Sequence, residues 1–109
     1  MAQHIFRVVV RGHFADLDEE QRADLLAHVD EHSPFKSAFT TDGTFTYEPN
    51  LVAFNFRYEI RQSDEEGDPT AAAEELGMAK ALATLQATGF GHKHLRVTAA
   101  DMADIWQEG

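Results

Sequence analysis

The chain has 109 residues, a formal net charge of -10 and no cysteine. Its 43% apolar and 26% charged residues are those of an ordinary globular protein, and the length suits one domain over 1–109. Disulfides, thiolate nucleophiles and cysteine-held metals are excluded, and the acidic total argues against nucleic-acid binding over the whole surface.

No apolar run is long enough to span a membrane. Met1-Ala2-Gln3-His4 lacks the positive flank of a secretory signal, so a soluble cytoplasmic protein is expected.

Residues 4–11 alternate as a strand, with Phe6, Val8 and Val10 on one face and Ile5, Arg7, Val9 and Arg11 on the other. Gly12 then allows a turn or a close backbone approach. A helix follows to about Glu31. Its cap is either Asp16 with Glu19 or Asp18 with Gln21, both legal capping boxes. Leu25, Leu26 and Val29, with Leu17 near the start, form its expected apolar stripe. Ser33-Pro34 ends it.

Residues 36–41 and 44–48 read as a hairpin around Asp42-Gly43. Phe39 precedes the turn; Phe45 and Tyr47 follow it. Residues 51–61 form the clearest strand. Val52, Phe54, Phe56, Tyr58 and Ile60 make an apolar face; Leu51, Ala53, Asn55, Arg57, Glu59 and Arg61 make a mixed one. An acidic loop over 62–69 leads to Asp68-Pro69, a helix-entry pair. The second helix runs to about Thr88, with Ala72, Leu76, Ala79, Leu82 and Ala83 expected inward and Leu85 beside them. Gly89 closes it. Residues 94–99 form the last strand, with Leu95 and Val97 inward. The tail from Asp101 is either a helical turn or an edge strand.

The order strand, helix, two strands, helix, strand predicts an α+β, two-layer sandwich. Two helices cover one face of an antiparallel sheet. The simplest topology is the ferredoxin-like βαββαβ arrangement.

Four segments carry a resemblance over nearly the whole chain: Phe6–Phe14, Leu17–Leu26, Phe39–Tyr47 and Leu95-Arg96-Val97. Together they resemble a family of small actinobacterial proteins of unknown function. The resemblance implies no activity, ligand or catalytic residue.

Chemistry is therefore read from the residues. Arg7, Arg11, Arg57, Arg61 and Arg96 are five of the six arginines, and strand phase puts them all on the uncovered sheet face. Asn55 and Glu59 join them. Arginine forks suit carboxylates and phosphates, and a positive face in an acidic protein focuses anions. The ligand-binding candidates are thus Arg7, Arg11, Asn55, Arg57, Glu59 and Arg96.

Ile5, Val9, Leu51 and Ala53 share that face, and apolar residues mixed with arginine suit an interface. The leading expectation is an accessory or assembly protein, a homodimer through this face. The alternative is a small enzyme or binding protein for an anionic or aromatic metabolite in a pocket over it.

The outward positions of the long strand lack the aromatics that stack RNA bases. Gly12 alone makes a poor phosphate nest, so an acylphosphatase-like site is disfavoured. His13 is the acid–base candidate by position. His28 with His32, and His92 with His94, lack a third ligand at a metal spacing, so neither metal nor cofactor is expected.

Overall fold

A computed structural model describes residues 3–32, 38–63 and 67–102. Its elements are β1 (Gln3–Phe14), α1 (Glu19–Ala27), a 3₁₀ turn (Val29–His32), β2 (Thr44–Tyr47), β3 (Ala53–Ser63), α2 (Pro69–Thr88) and β4 (His92–Asp101). The four strands order as β2-β3-β1-β4, and every neighbouring pair is antiparallel. That is the split βαβ, ferredoxin-like arrangement of an α+β protein.

Period-two alternation builds the core. Phe6, Val8 and Val10 of β1 are fully buried, and Phe54, Phe56, Tyr58 and Ile60 of β3 nearly so. All lie on the face that α2 covers. Gly12 does not turn the chain. The strand continues through it, and a Cβ there would lie 2.7 Å from Leu95 Cδ2 and 2.8 Å from Phe54 Cζ. The missing side chain lets those two residues meet across β1.

Local chemistry sets the helix ends. Asp18 caps α1: its carboxylate accepts from the Gln21 amide at 2.7 Å, and Gln21 reaches back to the Asp18 amide. Asp68 caps α2 ahead of Pro69, and Gly89 closes it in the left-handed conformation with φ 78°.

Four expectations are corrected. The inward row of α2 is Ala73, Gly77, Ala81 and Leu85, while Leu76, Ala79 and Ala83 are exposed and Ala72 and Leu82 half-buried. Close approach decides this. A Cβ on Gly77 would come within 2.6 Å of Val8 Cγ1, so only a row of small side chains fits at the contact. Leu26, expected inward, is also exposed; Leu25 alone of the α1 residues is buried.

The hairpin around Asp42-Gly43 does not form. Thr40 instead makes a single parallel bridge to Tyr58 of β3, the strand that β2 also pairs with. The turn bends the chain so that both flanks line up along one neighbour. Its contacts are Gly43 N–H to Thr40 Oγ1 at 2.9 Å and Thr44 Oγ1–H to the Ala38 carbonyl at 2.6 Å. The proposed strand over 36–41 begins in residues outside the described ones, as does the Ser33-Pro34 stop.

Leu51 and Val52 exchange roles. Leu51 takes φ 53° after the Glu48–Leu51 turn and tucks into the core, while Val52 is 55% exposed. Of the tail, Asp101 ends β4 and Met102 is buried; 103–109 lie outside the described residues. Among the described residues no helix is long and apolar enough to cross a membrane.

Candidate functional site on the open sheet face

Strand register builds the outward face row by row. Thr46 of β2 opposes Asn55 of β3, Asn55 opposes Arg11 of β1, and Arg11 opposes Arg96 of β4. Directly opposed residues share a face. One row therefore runs Thr46, Asn55, Arg11, Arg96 across the whole sheet. Towards the C-terminal end of β1 the next row holds Ala53, His13 and Lys93. In the other direction come Arg57, Val9 and Thr98, then Glu59, Arg7 and Ala100.

β4 contains a bulge beside this row. Its register slips between the partners of Arg11 and His13, so two residues, His94 and Leu95, stand against Gly12. His94 has φ 57°, a conformation unusual for a residue with a side chain. The slip leaves both Lys93 and His94 exposed and sets the His94 ring edge-on to His13, with centroids 5.6 Å apart.

A cleft of about 520 Å³ opens here, lined by Arg11, His13, Thr46, Glu48, Asn55, His94 and Arg96 among others. Arg11 and Arg96 are exposed and directly opposed, a pairing that like charges disfavour. Neither has an ion-pair partner among the described residues.

Asn55 accepts from Arg57 Nε at 3.3 Å, which leaves its amide NH₂ as a donor. Thr46 is fully buried, yet its Oγ1 has no hydrogen-bond partner among the described residues. An orphaned buried hydroxyl costs roughly 1–3 kcal/mol.

The candidates read from the sequence thus divide. Arg11, Asn55, Arg96 and His13 come together in the cleft. Arg7, Arg57 and Glu59 lie on the same face but further along, and the two arginines approach Phe39. The Arg7 guanidinium carbon is 5.1 Å from the centroid of the Phe39 ring and that of Arg57 is 6.0 Å away, a cation–π arrangement.

Sequence reasoning missed Thr46, His94 and Glu48 as cleft residues. Thr46 alternates with Phe45 and Tyr47, so its outward direction was readable. Its place opposite Asn55 needed the sheet register.

The remaining histidines are spread out. His28 Nδ1 donates to the Asp24 carbonyl at 2.9 Å, and His32 Nδ1 to that of Phe45 at 2.7 Å with its ring stacked on Tyr47. The Asp24 carbonyl, and behind it the Glu31 carboxylate, raise the His28 pKa above 6.5. His92 Nδ1 faces the carbonyl of Phe90. Among the described residues no three histidine, aspartate or glutamate side chains converge as a metal site would require.

Fold and face define a small ferredoxin-like α+β protein with an arginine-bearing open sheet. A family model described as a family of unknown function, DUF6204, matches residues 1–108, and the chain belongs to that family. No curated protein matches the chain. No solved structure matches it.

Proposed function

We propose that this protein binds a small anionic molecule in the cleft over its sheet. The observation that carries the reading is the Arg11–Arg96 pair. Two guanidinium groups project side by side from neighbouring strands with no carboxylate partner among the described residues. An anion between them turns a repulsion into two charge-assisted, fork-like contacts. The acidic remainder of the chain sharpens the contrast, because a positive face in a molecule of charge -10 concentrates anions locally. An aromatic ligand has less to meet: the Tyr47 and Phe54 side chains at the cleft floor are packed in the core.

Amide chemical shifts followed while phosphate, sulfate or acetate is added test the reading. The shifts should centre on Arg11 and Arg96, and Arg11→Ser with Arg96→Ser should abolish them. Absence of any anion-induced change around these residues at millimolar concentration would overturn it.

A second reading is favoured by Val9 in the middle of the same face and Ile5 near its end, which place apolar area there. In it the protein is a homodimer through its sheet, an accessory or assembly protein, with Arg57 of one copy meeting Glu59 of the other. The inward turn of Leu51 removes one of the four apolar residues this reading placed on the face. The anion reading therefore stands first.

A further inference from the structure

The arginine pair occupies only half of the row it belongs to. Beyond it lie the Asn55 amide and the buried Thr46 hydroxyl, unpartnered among the described residues. Three inter-strand steps separate Thr46 from Arg96, a backbone span of about 14 Å. A free inorganic anion between the guanidinium groups leaves the Asn55 and Thr46 end untouched.

We infer that the cleft receives a phosphate monoester of a small polyhydroxy compound. The phosphoryl group lies on Arg11 and Arg96, and the hydroxyl-bearing part reaches Asn55 and Thr46. This rests on the anion-binding reading above and narrows it to one class of ligand.

Three features argue for that class. Two adjacent forks offer more donors and more charge than a monocarboxylate can use, whereas a monoester phosphoryl group carries close to two charges and three acceptor oxygens. The far end offers neutral groups, the amide NH₂ and a hydroxyl that both donates and accepts, which suit alcohol oxygens. Glu48 also lines the cleft. Its carboxylate accepts from a ligand hydroxyl and repels a second phosphoryl group, so the ligand carries its charge at one end. The His94 bulge belongs to the same arrangement: it holds strain beside the cationic end and adds an imidazole next to His13.

Calorimetry and amide-shift titration with five probes test this: inorganic phosphate, acetate, glucose, glycerol 3-phosphate and glucose 6-phosphate. At least one of the two esters should bind roughly tenfold tighter than inorganic phosphate, and acetate roughly tenfold weaker than phosphate. Glucose alone should not bind measurably. Thr46→Val, close in shape, and Asn55→Ala should bring the ester down to the affinity of inorganic phosphate while changing phosphate binding by less than about twofold. Retained amide dispersion in both variants confirms folding.

If phosphate binds but neither ester gains over it, or acetate equals phosphate, the ester class is wrong and anion binding stands. If Thr46→Val and Asn55→Ala leave the ester's advantage intact, the far end is not the hydroxyl site. If no anion perturbs Arg11 and Arg96, both readings fall together.

Discussion

Tyr58 is 1% exposed, wedged so closely under the Thr40–Gly43 turn that a Cβ on Gly43 would fall 2.1 Å from its Cε1. Burial pushes its phenol pKa up to about 12, against a smaller opposing effect of the Thr84 hydroxyl. A phenol whose folded pKa lies above its unfolded value of 10.0 favours the fold in its neutral form. That contribution is complete below pH 10 and is lost as the pH rises towards 12. Burial shifts Tyr47 the same way. Urea unfolding over this range should therefore show falling stability in the natural protein and a shallower fall in Tyr58→Phe. A second check on the same face is Phe56→Ala, expected to cost roughly 3–5 kcal/mol because the ring is 2% exposed. A measured loss below about 1 kcal/mol would mean the ring is not packed in the core.

The elements were legible where a local rule governs. Strict alternation in Phe54, Phe56, Tyr58 and Ile60 placed the β3 core face, and Asp68 and Gly89 marked the ends of α2 through their own side-chain or backbone chemistry, whereas two equally legal capping boxes left the start of α1 open between Asp16 and Asp18 until the structure chose Asp18. Legibility failed where fit or distant pairing decides. α2 has alanine on several sides, so hydropathy barely distinguishes its faces, and the steric fit of Gly77 against Val8 sets its rotation. Leu51 was misplaced because a positive φ breaks the phase of the strand behind it. The cleft was half legible. Arg11, Asn55 and Arg96 followed from phase, but Thr46 and His94 joined them only through register and a bulge.

The α2 contact makes its own prediction. Gly77→Ala gains about 1 kcal/mol of helix propensity but forces a methyl into Val8, a buried β-branched side chain held in one rotamer. Overpacking of this kind costs roughly 1–3 kcal/mol. The variant should melt below the natural protein, and a rise in melting temperature would show that Val8 yields.

At the scale of the molecule the two faces of the sheet lead different lives. One is sealed by α2, with α1 set beside it through Leu25, whose carbonyl accepts from the Tyr47 hydroxyl at 2.6 Å. The other is bounded by the short edge strand β2 and the long edge strand β4. If a second copy covers it, light scattering will return twice the 12.2 kDa chain mass, and Val9→Glu will restore the single mass without unfolding the protein. A single mass in the natural protein, or a double mass unchanged by Val9→Glu, excludes that mode of assembly. Anion binding is separated from assembly by Arg11→Ser with Arg96→Ser rather than by this variant, since Val9 lies one row away from Arg11 and Arg96 and a carboxylate there would itself face the guanidinium groups.

The bulge also makes β4 unusual in the lengths it tolerates. His94 is the supernumerary residue: Lys93 already pairs with His13 and Arg96 with Arg11, leaving two residues opposite Gly12. Removing His94 outright would leave Leu95 alone opposite Gly12 and both flanking pairs where they are. Excising any one residue from 96–98 would instead invert the strand beyond the cut, sending Val97 or Ala99 outward and Thr98 or Ala100 into the core. A chain shortened by His94 should thus keep its fold and lose from its cleft only the His94 imidazole, with that of His13 retained. Single-residue deletion then trims the cleft of this protein without touching its architecture.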